Sequence, residues 1–176
     1  MDENQKQQLL NYINTRTFKP LDSVKNFKLE KYMGKWYEIG NTLFARLFIE
    51  RNCKCTTANY TLLSNNSVQV QNDCINVQNN EPIQAIGNAI QPNPNFPAQL
   101  QVSFPPMVAN RPNYYVITID DDYNYALVGD PTRLFLWILS RKPTIPKCVY
   151  NKYLSIAESQ GYNLDFIKFQ KTKHNC

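Results

Sequence analysis

The sequence predicts an all-β protein: an eight-stranded antiparallel up-and-down barrel with one C-terminal α-helix packed outside and a short N-terminal helix. Two observations carry this prediction. Apolar and polar residues alternate with a period of two over most of the chain from Met33 to Arg141. In the body of the chain, helical spacing of apolar residues begins only after Pro146. Eight strands give an interior just wide enough for one small ligand, and a β-sandwich is the alternative architecture.

The composition is that of one globular domain. Its 176 residues suffice for a core and a cavity, and 12% of them are aromatic, which favours β structure. The net charge of +5 is modest and the basic residues are scattered, so we do not expect nucleic-acid binding. No apolar run approaches the ~20 residues of a membrane span. The first ten residues, MDENQKQQLL, are polar, so a secretory leader was either removed or never used.

The first strand is predicted in the segment MGKWYEIG, residues 33–40. Alternation places Trp36, Glu38 and Gly40 on one face of this strand. A large indole beside a small residue suits the floor of a closed barrel better than the face of a flat sheet.

Seven further strands follow in the same pattern. The segments SNNS (64–67) and Asp121–Asn124 are turn-like links between neighbouring strands. The last strand is the most apolar, and we expect it to be buried on both faces. The aspartates at 120–122 suggest a cation site, but a solvated hairpin turn is the simpler interpretation. The further strands are predicted near residues 57–63, 68–70, 83–90, 98–104, 114–120, 125–129 and 133–141.

Two helices and a short terminal strand complete the prediction. One helix is expected from Gln5 to Asn14, where Leu9, Leu10 and Ile13 form one apolar stripe. The second follows Pro146, with Val149, Tyr153, Ile156 and Ala157 at helical spacing, and ends near Gly161. A short strand is expected from Phe166 to Phe169.

Five cysteines, at positions 53, 55, 74, 148 and 176, favour disulfides, and the odd number leaves at least one thiol without a partner in the chain. Zinc is the competing interpretation, because Cys53 and Cys55 have the close spacing of metal ligands. However, no second cysteine pair follows, and the only histidine is His174. That lone histidine gives little support for a nucleophile with a histidine base, and no glycine-rich phosphate loop occurs. We therefore predict no enzymatic activity, cofactor or metal.

Three segments, in order, resemble the sequence signatures of the lipocalins. NFKLEKYMGKWYEIG (26–40) contains the Gly-x-Trp of the first signature. DDDYNYALVGDP (120–131) resembles the second, and LFLWILSRKP (134–143) resembles the third, with its arginine. Within the family the chain is most similar to apolipoprotein D and the bacterial outer-membrane lipocalins. The resemblance covers residues 24–176 as a barrel domain and leaves residues 1–23 as an N-terminal extension.

The resemblance implies how one end of the barrel is closed. In lipocalins the Gly-x-Trp indole plugs that end, and the third-signature arginine lies across it. The matching positions here are Gly34, Trp36 and Arg141, and a desolvated cation over an indole is favourable by ~2 kcal/mol.

The family also pairs a cysteine just before the second strand with one near the C-terminus. This implies a disulfide between Cys55 and Cys176. Cys53, Cys74 and Cys148 receive no partner from the resemblance.

A lipid-binding cavity is implied as well. The pocket tryptophan of apolipoprotein D matches Trp137, and two further pocket positions match Tyr60 and Asn72. Side chains on the same faces would complete an apolar cup for a fatty acid, a lysophospholipid, a sterol or a similar lipid. The alternative is that they fill the barrel and leave no cavity. The predicted ligand-binding residues are Trp137, Phe135, Leu139, Tyr60, Leu62, Val68, Val70, Asn72, Leu100, Val102 and Phe104.

The segment between the first two strands is longer and more apolar than is usual in the family. An ordinary surface loop carries fewer large apolar groups, so these side chains either cover the cavity as a lid or contact a membrane or a partner protein. They are Leu43, Phe44, Leu47, Phe48 and Ile49.

Two functions are therefore expected. The first is binding and transport of a small hydrophobic ligand without catalysis, and the alternative is a structural lipocalin-like subunit of a larger protein or membrane assembly.

Asn59 and Asn65 lie in glycosylation sequons. The family and the cysteines favour a secreted or extracytoplasmic protein, with an intracellular or organellar assembly as the alternative.

Overall fold

The structure, a computed structural model, describes Gln7, Asn11 and residues 19–176. The helix expected from Gln5 to Asn14 lies outside the described residues except for these two. Both are helical, and Gln7 Nε2 donates a hydrogen bond to Asn11 Oδ1 at 3.1 Å.

Eight antiparallel strands form a closed up-and-down barrel, which confirms the predicted fold. Consecutive strands pair from β2 to β8, and β1 pairs with both β8 and β2, so the sheet closes on itself. A short ninth strand pairs with the end of β1. The strands are β1 (Gly34–Asn41), β2 (Cys53–Leu62), β3 (Val68–Asn76), β4 (Pro82–Ile90), β5 (Gln99–Ser103), β6 (Tyr114–Ile119), β7 (Tyr125–Gly129), β8 (Leu136–Ser140) and β9 (Gln170–Lys171).

Four helices accompany the strands in the part of the chain from residue 19 onward. They are α1 (Leu29–Tyr32), α2 (Leu43–Phe48), α3 (Lys147–Ser159) and α4 (Leu164–Ile167). Among the described residues, no helix is long and apolar enough to cross a membrane.

The prediction of a terminal strand at Phe166–Phe169 is wrong. Residues Leu164–Ile167 form helix α4, because the Asn163 side chain accepts a hydrogen bond from the Phe166 amide and caps the helix. Lys168 then adopts a left-handed conformation, with φ of 48°, and ends it. Strand pairing begins only at Gln170.

Two apolar cores lie on opposite sides of the sheet. Inside the barrel, inward side chains pack around Trp36, which is completely buried. On the outside, α3 packs Tyr153 and Ala157 against outward residues such as Leu127 and Ile138. Because the last barrel strand, β8, packs against both cores, its sequence is a nearly continuous apolar run.

A bulge interrupts the alternation in β1. The register with β8 shifts between Glu38 and Gly40, so Glu38 opposes Leu139 while Asn41 opposes Trp137. A side chain at Gly40 would meet Phe169 and the Gln170 carbonyl outside the barrel. The prediction that Gly40 shares the face of Trp36 is therefore wrong, and Asn41 lies opposite an inward-facing tryptophan instead.

Candidate ligand-binding site

The predicted closure residues meet at one end of the barrel. The Arg141 guanidinium carbon lies 3.8 Å from the centroid of the Trp36 ring. Arg141 also donates to the carbonyls of Lys31, Lys35 and Tyr123, at 2.8, 2.9 and 3.2 Å. These bonds join the first helix, the first strand and the turn before β7. Trp36, Arg141 and these bonded segments together close this end of the barrel.

Gly34 lies beside this contact with φ of 88°, a conformation that favours glycine. A side chain there would lie 3.5 Å from the Arg141 guanidinium. The positive φ at this position thus explains why the Gly-x-Trp motif begins with a glycine.

Three tyrosine hydroxyls form a polar cluster inside this closed half. Tyr114 Oη lies 2.7 Å from Tyr32 Oη and 2.9 Å from Tyr60 Oη. Burial raises the pKa of Tyr60 to about 12, and burial also raises the pKa values of Tyr32 and Tyr114. All three groups therefore stay neutral and act as hydrogen-bonding hydroxyls.

Most of the predicted ligand residues lie on the inner face. Those in the closed half are fully packed, whereas Val102, Phe104 and Trp137 remain half-buried toward the other end. Asn72 opposes Ala58, which packs against the inner core, and it is also half-buried. The fully packed members are Tyr60, Val68, Val70, Leu100 and Leu139.

Two predicted ligand residues lie elsewhere. Leu62 ends β2 at the closed end and is 38% exposed, outside the inner core. Phe135 precedes β8, where alternation does not yet apply, and packs against the outer core. Its ring still lies 6.0 Å from that of Trp137. Neither residue belongs to the inner wall.

The inner surface reaches solvent at the end opposite Arg141. In an up-and-down barrel the β1–β2, β3–β4, β5–β6 and β7–β8 links share one end. We call this end the mouth. Only Asn88–Ile90 of β4 pair with β5, so the first part of β4 lacks a neighbour on that side. Ile83 and Ala85 oppose inward positions of β3 and are exposed there.

A hydrogen-bonded polar cluster lies in the mouth. Glu50 accepts hydrogen bonds from Trp137 Nε1 at 2.9 Å and from Asn41 Nδ2 at 2.8 Å. The same Asn41 nitrogen donates to Glu38 Oε1 at 3.1 Å, and Arg46 donates to Asn41 Oδ1 at 2.8 Å. Burial and then the neighbouring Glu50 carboxyl raise the pKa of Glu38. Below this cluster a cavity of about 170 Å³ is lined by Glu38, Asn41, Arg46, Cys53, Lys54, Val77 and residues 170–173.

The apolar segment after β1 is partly helix and partly exposed. Thr42 caps α2 by accepting from the Ala45 amide, and its hydroxyl donates to the Leu134 carbonyl. Phe44 is buried in the outer core, which corrects its assignment to a docking surface. Leu43 is half-buried. Leu47, Phe48 and Ile49 are 46%, 62% and 51% exposed.

The C-terminal tail closes a gap between β1 and β2. Beyond Tyr37 and Thr57 these strands separate, and β9 pairs with β1 instead. The Cys55 amide donates to the Lys173 carbonyl at 2.7 Å, and Cys55 is joined to Cys176 by a disulfide.

A second disulfide joins Cys53 to Cys74 across β2 and β3. The sequence did not identify this pair, because the resemblance offered no match for it. Cys148 is an exposed free thiol on α3.

The sequon asparagines lie on the outside of the barrel. Asn59 pairs with Lys35 and Gln71, one position from inward-facing Tyr60, and is half-buried. Asn65 is exposed in the β2–β3 turn, where its Oδ1 accepts from the Ser67 amide and hydroxyl. From residue 19 onward, no group of three or more histidine, cysteine or acidic side chains is placed to hold a metal ion.

Comparisons with known proteins agree with this architecture. A family model described as a lipocalin-like domain matches residues 27–172. Temperature-induced lipocalin-1 of Arabidopsis thaliana is 36% identical over 160 residues, covering 88% of this chain and 83% of that protein. This chain is a lipocalin. Apolipoprotein D of Mus musculus is 33% identical over 148 residues, covering 80% of this chain and 75% of that protein. The solved structure of insecticyanin from Manduca sexta superimposes with a TM-score of 0.67 at 20% identity, covering 90% and 86% of the two chains.

Sequence reasoning missed the polar parts of this lipocalin. Alternation had placed Glu38 on the face of Trp36, which was a signal that a carboxyl group lies inside the barrel. Asn41 was hidden by the bulge, and Glu50 by its position in a link between strands. Tyr32 and Tyr114 gave no sequence signal, since tyrosine is common throughout this chain.

Proposed function

We propose that this lipocalin binds and carries a small, mainly apolar ligand that enters through the mouth and contacts Trp137, Val102 and Phe104. The observation that carries the proposal is that these inward side chains are half-buried although they face the barrel interior. Apolar side chains left partly exposed in a concave site are typical of ligand pockets. The protein would act by reversible binding, with no reaction.

The distribution of packing limits where the ligand lies. The closed half is filled by Trp36, Tyr32 and their neighbours, so the ligand occupies the half near the mouth. The cavity of about 170 Å³ is lined mostly by polar side chains and by none of Trp137, Val102 and Phe104, so it is not the proposed ligand site.

A second role, docking onto an anionic lipid bilayer, is favoured by the side chains around the mouth. Leu47, Phe48 and Ile49 are joined there by Met107 and Val108 of the β5–β6 link, which are 73% and 79% exposed. Exposed Arg51 and Arg111 flank the two apolar groups. Apolar groups beside basic residues fit a membrane surface whose headgroups are negative. Docking in this orientation would present the mouth to the membrane.

The two disulfides support an extracytoplasmic location, because reducing compartments keep thiols free. Glycosylation at Asn59 or Asn65 would follow in a eukaryotic secretory pathway.

Mass spectrometry of protein isolated from its source, together with titration by the neutral fluorescent probe N-phenyl-1-naphthylamine, tests ligand carriage. We expect a co-purified apolar compound and saturable probe binding that this compound displaces. Protein without any bound compound that also fails to bind the probe saturably would refute ligand carriage. Protein that is isolated from its source only in complex with a partner protein would favour the structural-subunit alternative.

A further inference from the structure

Glu38 is a carboxyl-bearing side chain only 3% exposed inside a mostly apolar barrel. Its Oε1 accepts hydrogen bonds from Asn41 Nδ2, at 3.1 Å, and from the Thr172 hydroxyl of the tail. Because Asn41 Nδ2 also donates to Glu50 Oε2, one amide nitrogen bridges two carboxyl groups. These carboxyl groups come from different segments, the barrel wall and the turn after α2. Ligand contact as proposed above has no need of this arrangement.

Glu50 ties the segment formed by α2 and the turn after it, residues 42–50, to the wall of the mouth. We call residues 42–50 the α2 segment. The first part of that segment is fixed by buried Phe44 and Ala45, whereas Leu47–Ile49 are exposed. Glu50 follows directly, and its other carboxyl oxygen accepts the Trp137 indole N–H at 2.9 Å. A change at Glu50 therefore acts on both the exposed segment and the proposed ligand contact.

We infer that Glu38 and Glu50 form a proton-controlled latch, in which one proton shared by the pair holds the α2 segment against Trp137 and loss of that proton releases it. This inference rests on the proposed ligand role of the mouth for its function. The latch itself is observable in protein without ligand.

The charges around the pair give the direction of the switch. With one proton on the pair, the remaining negative charge is balanced by Arg46, which donates to Asn41 Oδ1 beside both carboxyls. Without that proton, two carboxylates share the Asn41 amide nitrogen, and the bonds from the Thr172 hydroxyl and the Trp137 indole neutralise neither charge. Burial and the Glu50 charge raise the pKa of Glu38, so the proton is held above the ordinary glutamate range. Since Glu50 lies on an exposed turn and Glu38 on a strand, repulsion displaces Glu50.

Other titratable groups pack near the pair and must be separated from it. His174 Nε2 lies 2.6 Å from the Glu38 backbone oxygen, and Tyr60 is close enough for the Glu50 charge to contribute to its raised pKa. Lys54, Lys171 and Lys173 border the cavity beneath Glu38. Of these, the His174 imidazole contacts the backbone of Glu38 itself, so a substitution at His174 must be included among the controls.

The two indole N–H resonances provide a direct test by ¹H–¹⁵N NMR. Trp137 reports the Glu50 contact, and Trp36 is an internal control because its N–H donates to the Tyr32 carbonyl in the closed end. We expect the Trp137 resonance to shift as pH rises through the pKa of Glu38 while the Trp36 resonance stays fixed. Glu38→Gln should hold Trp137 at its low-pH position throughout, and Glu50→Ala should abolish the titration.

Two control variants assign the titration. Glu81→Gln removes an exposed carboxyl from the same end of the barrel, and His174→Gln removes the imidazole. Both should titrate as the parent does. A Trp137 resonance that does not titrate, or that titrates unchanged in Glu38→Gln, overturns the latch. Loss of the titration in His174→Gln alone would assign it to the histidine and overturn the latch as well.

Stopped-flow dissociation of N-phenyl-1-naphthylamine connects the latch to ligand exchange. We expect release from the parent protein to accelerate as pH rises through the pKa of Glu38, and release from Glu38→Gln to stay at the slow rate of the closed latch. A Trp137 titration with pH-independent release would refute control of exchange. A protein that binds no probe fails the proposed function, while the NMR result still decides the latch.

Discussion

The Arg141 guanidinium lies over the Trp36 ring, with its carbon 3.8 Å from the ring centroid, and its three nitrogen groups donate to three backbone carbonyls. One side chain therefore ties α1, β1 and the β6–β7 turn to the plug of the barrel. Lysine cannot reproduce this, because an ammonium lacks the planar fork of donors. The contact serves stability at the closed end, far from the mouth.

We expect Arg141→Lys to lower the free energy of unfolding by about 1–2 kcal/mol, since a half-buried contact is partly screened by solvent. Urea unfolding followed by circular dichroism measures this. Arg51→Lys, at an exposed position of the mouth, is the matched control and should change stability little. Similar losses in both variants would show that the loss is not specific to the contact with Trp36.

Trp137→Ala should weaken ligand binding more than it weakens folding. The indole is half-buried in the mouth, so its removal forfeits contact with a ligand while the closed half keeps its packing. Losing such a contact costs about 1–3 kcal/mol, or roughly 5- to 150-fold in affinity. Probe titration and thermal unfolding give the two quantities. Phe96→Ala, an exposed aromatic position at the other end of the barrel, is the control. Equal affinity in Trp137→Ala and the parent would remove Trp137 from the pocket.

Period-two alternation explains how far the sequence could predict this molecule. It gave the strands and showed that Val68 shares a face with Val70, and Trp137 with Leu139, while the resemblance to apolipoprotein D implied which of these faces points inward. It failed at Gly40, because a bulge changes the face without any change in residue pattern.

Alternation also fails beyond the ends of strands. Phe135 precedes β8 and Leu62 lies at the last position of β2, so neither side chain is held inward by pairing on both sides. At the tail, the local hydrogen bond from the Phe166 amide to Asn163 favoured a short helix over the expected strand. The polar cluster at Glu50 could not be predicted, because a bulge changes the face of Asn41 and because folding alone brings Glu50 to Trp137, 87 residues away in the sequence.

The two disulfides should contribute unequally to stability. Cys55 and Cys176 are 121 residues apart, whereas Cys53 and Cys74 are 21 apart. Chain entropy then assigns about 5 kcal/mol to the first and about 3 kcal/mol to the second. Cys176→Ser should therefore lower the melting temperature more than Cys74→Ser, and reductant should have little further effect on the double variant. Peptide mapping under non-reducing conditions checks the pairing, and a peptide linking Cys55 to Cys74 would contradict it.

Glu38 should make the protein less stable as pH rises. Its pKa is raised in the folded state, so the folded protein binds the proton more tightly than the unfolded chain. The resulting stabilisation is complete below the unfolded glutamate pKa and is lost as pH rises through the folded value. In Glu38→Gln this part of the pH dependence should disappear. Chemical unfolding of both proteins at a series of pH values measures it. A parent protein that gains stability across the same interval would contradict the raised pKa.

Docking of the mouth onto a bilayer should depend on the exposed apolar side chains of both links. Replacing Phe48 and Met107 with Ser removes one large apolar group from each, while buried Phe44 stays in the outer core. Burial of such a side chain supplies about 1.5–3 kcal/mol, so two losses suffice to abolish a weak membrane contact. We expect the parent to float with liposomes that contain anionic lipid and the double variant to remain in the soluble fraction. Probe affinity should be unchanged, because neither residue is an inward one.

Ile86→Ser with Ile90→Ser, at exposed positions on the outside of β4, is the matched control and should float as the parent does. Raising the salt concentration should weaken flotation, since Arg51 and Arg111 contribute through screened charges. A parent that never floats, combined with a double variant that releases the probe faster, would make the α2 segment a lid over the mouth instead of a membrane contact.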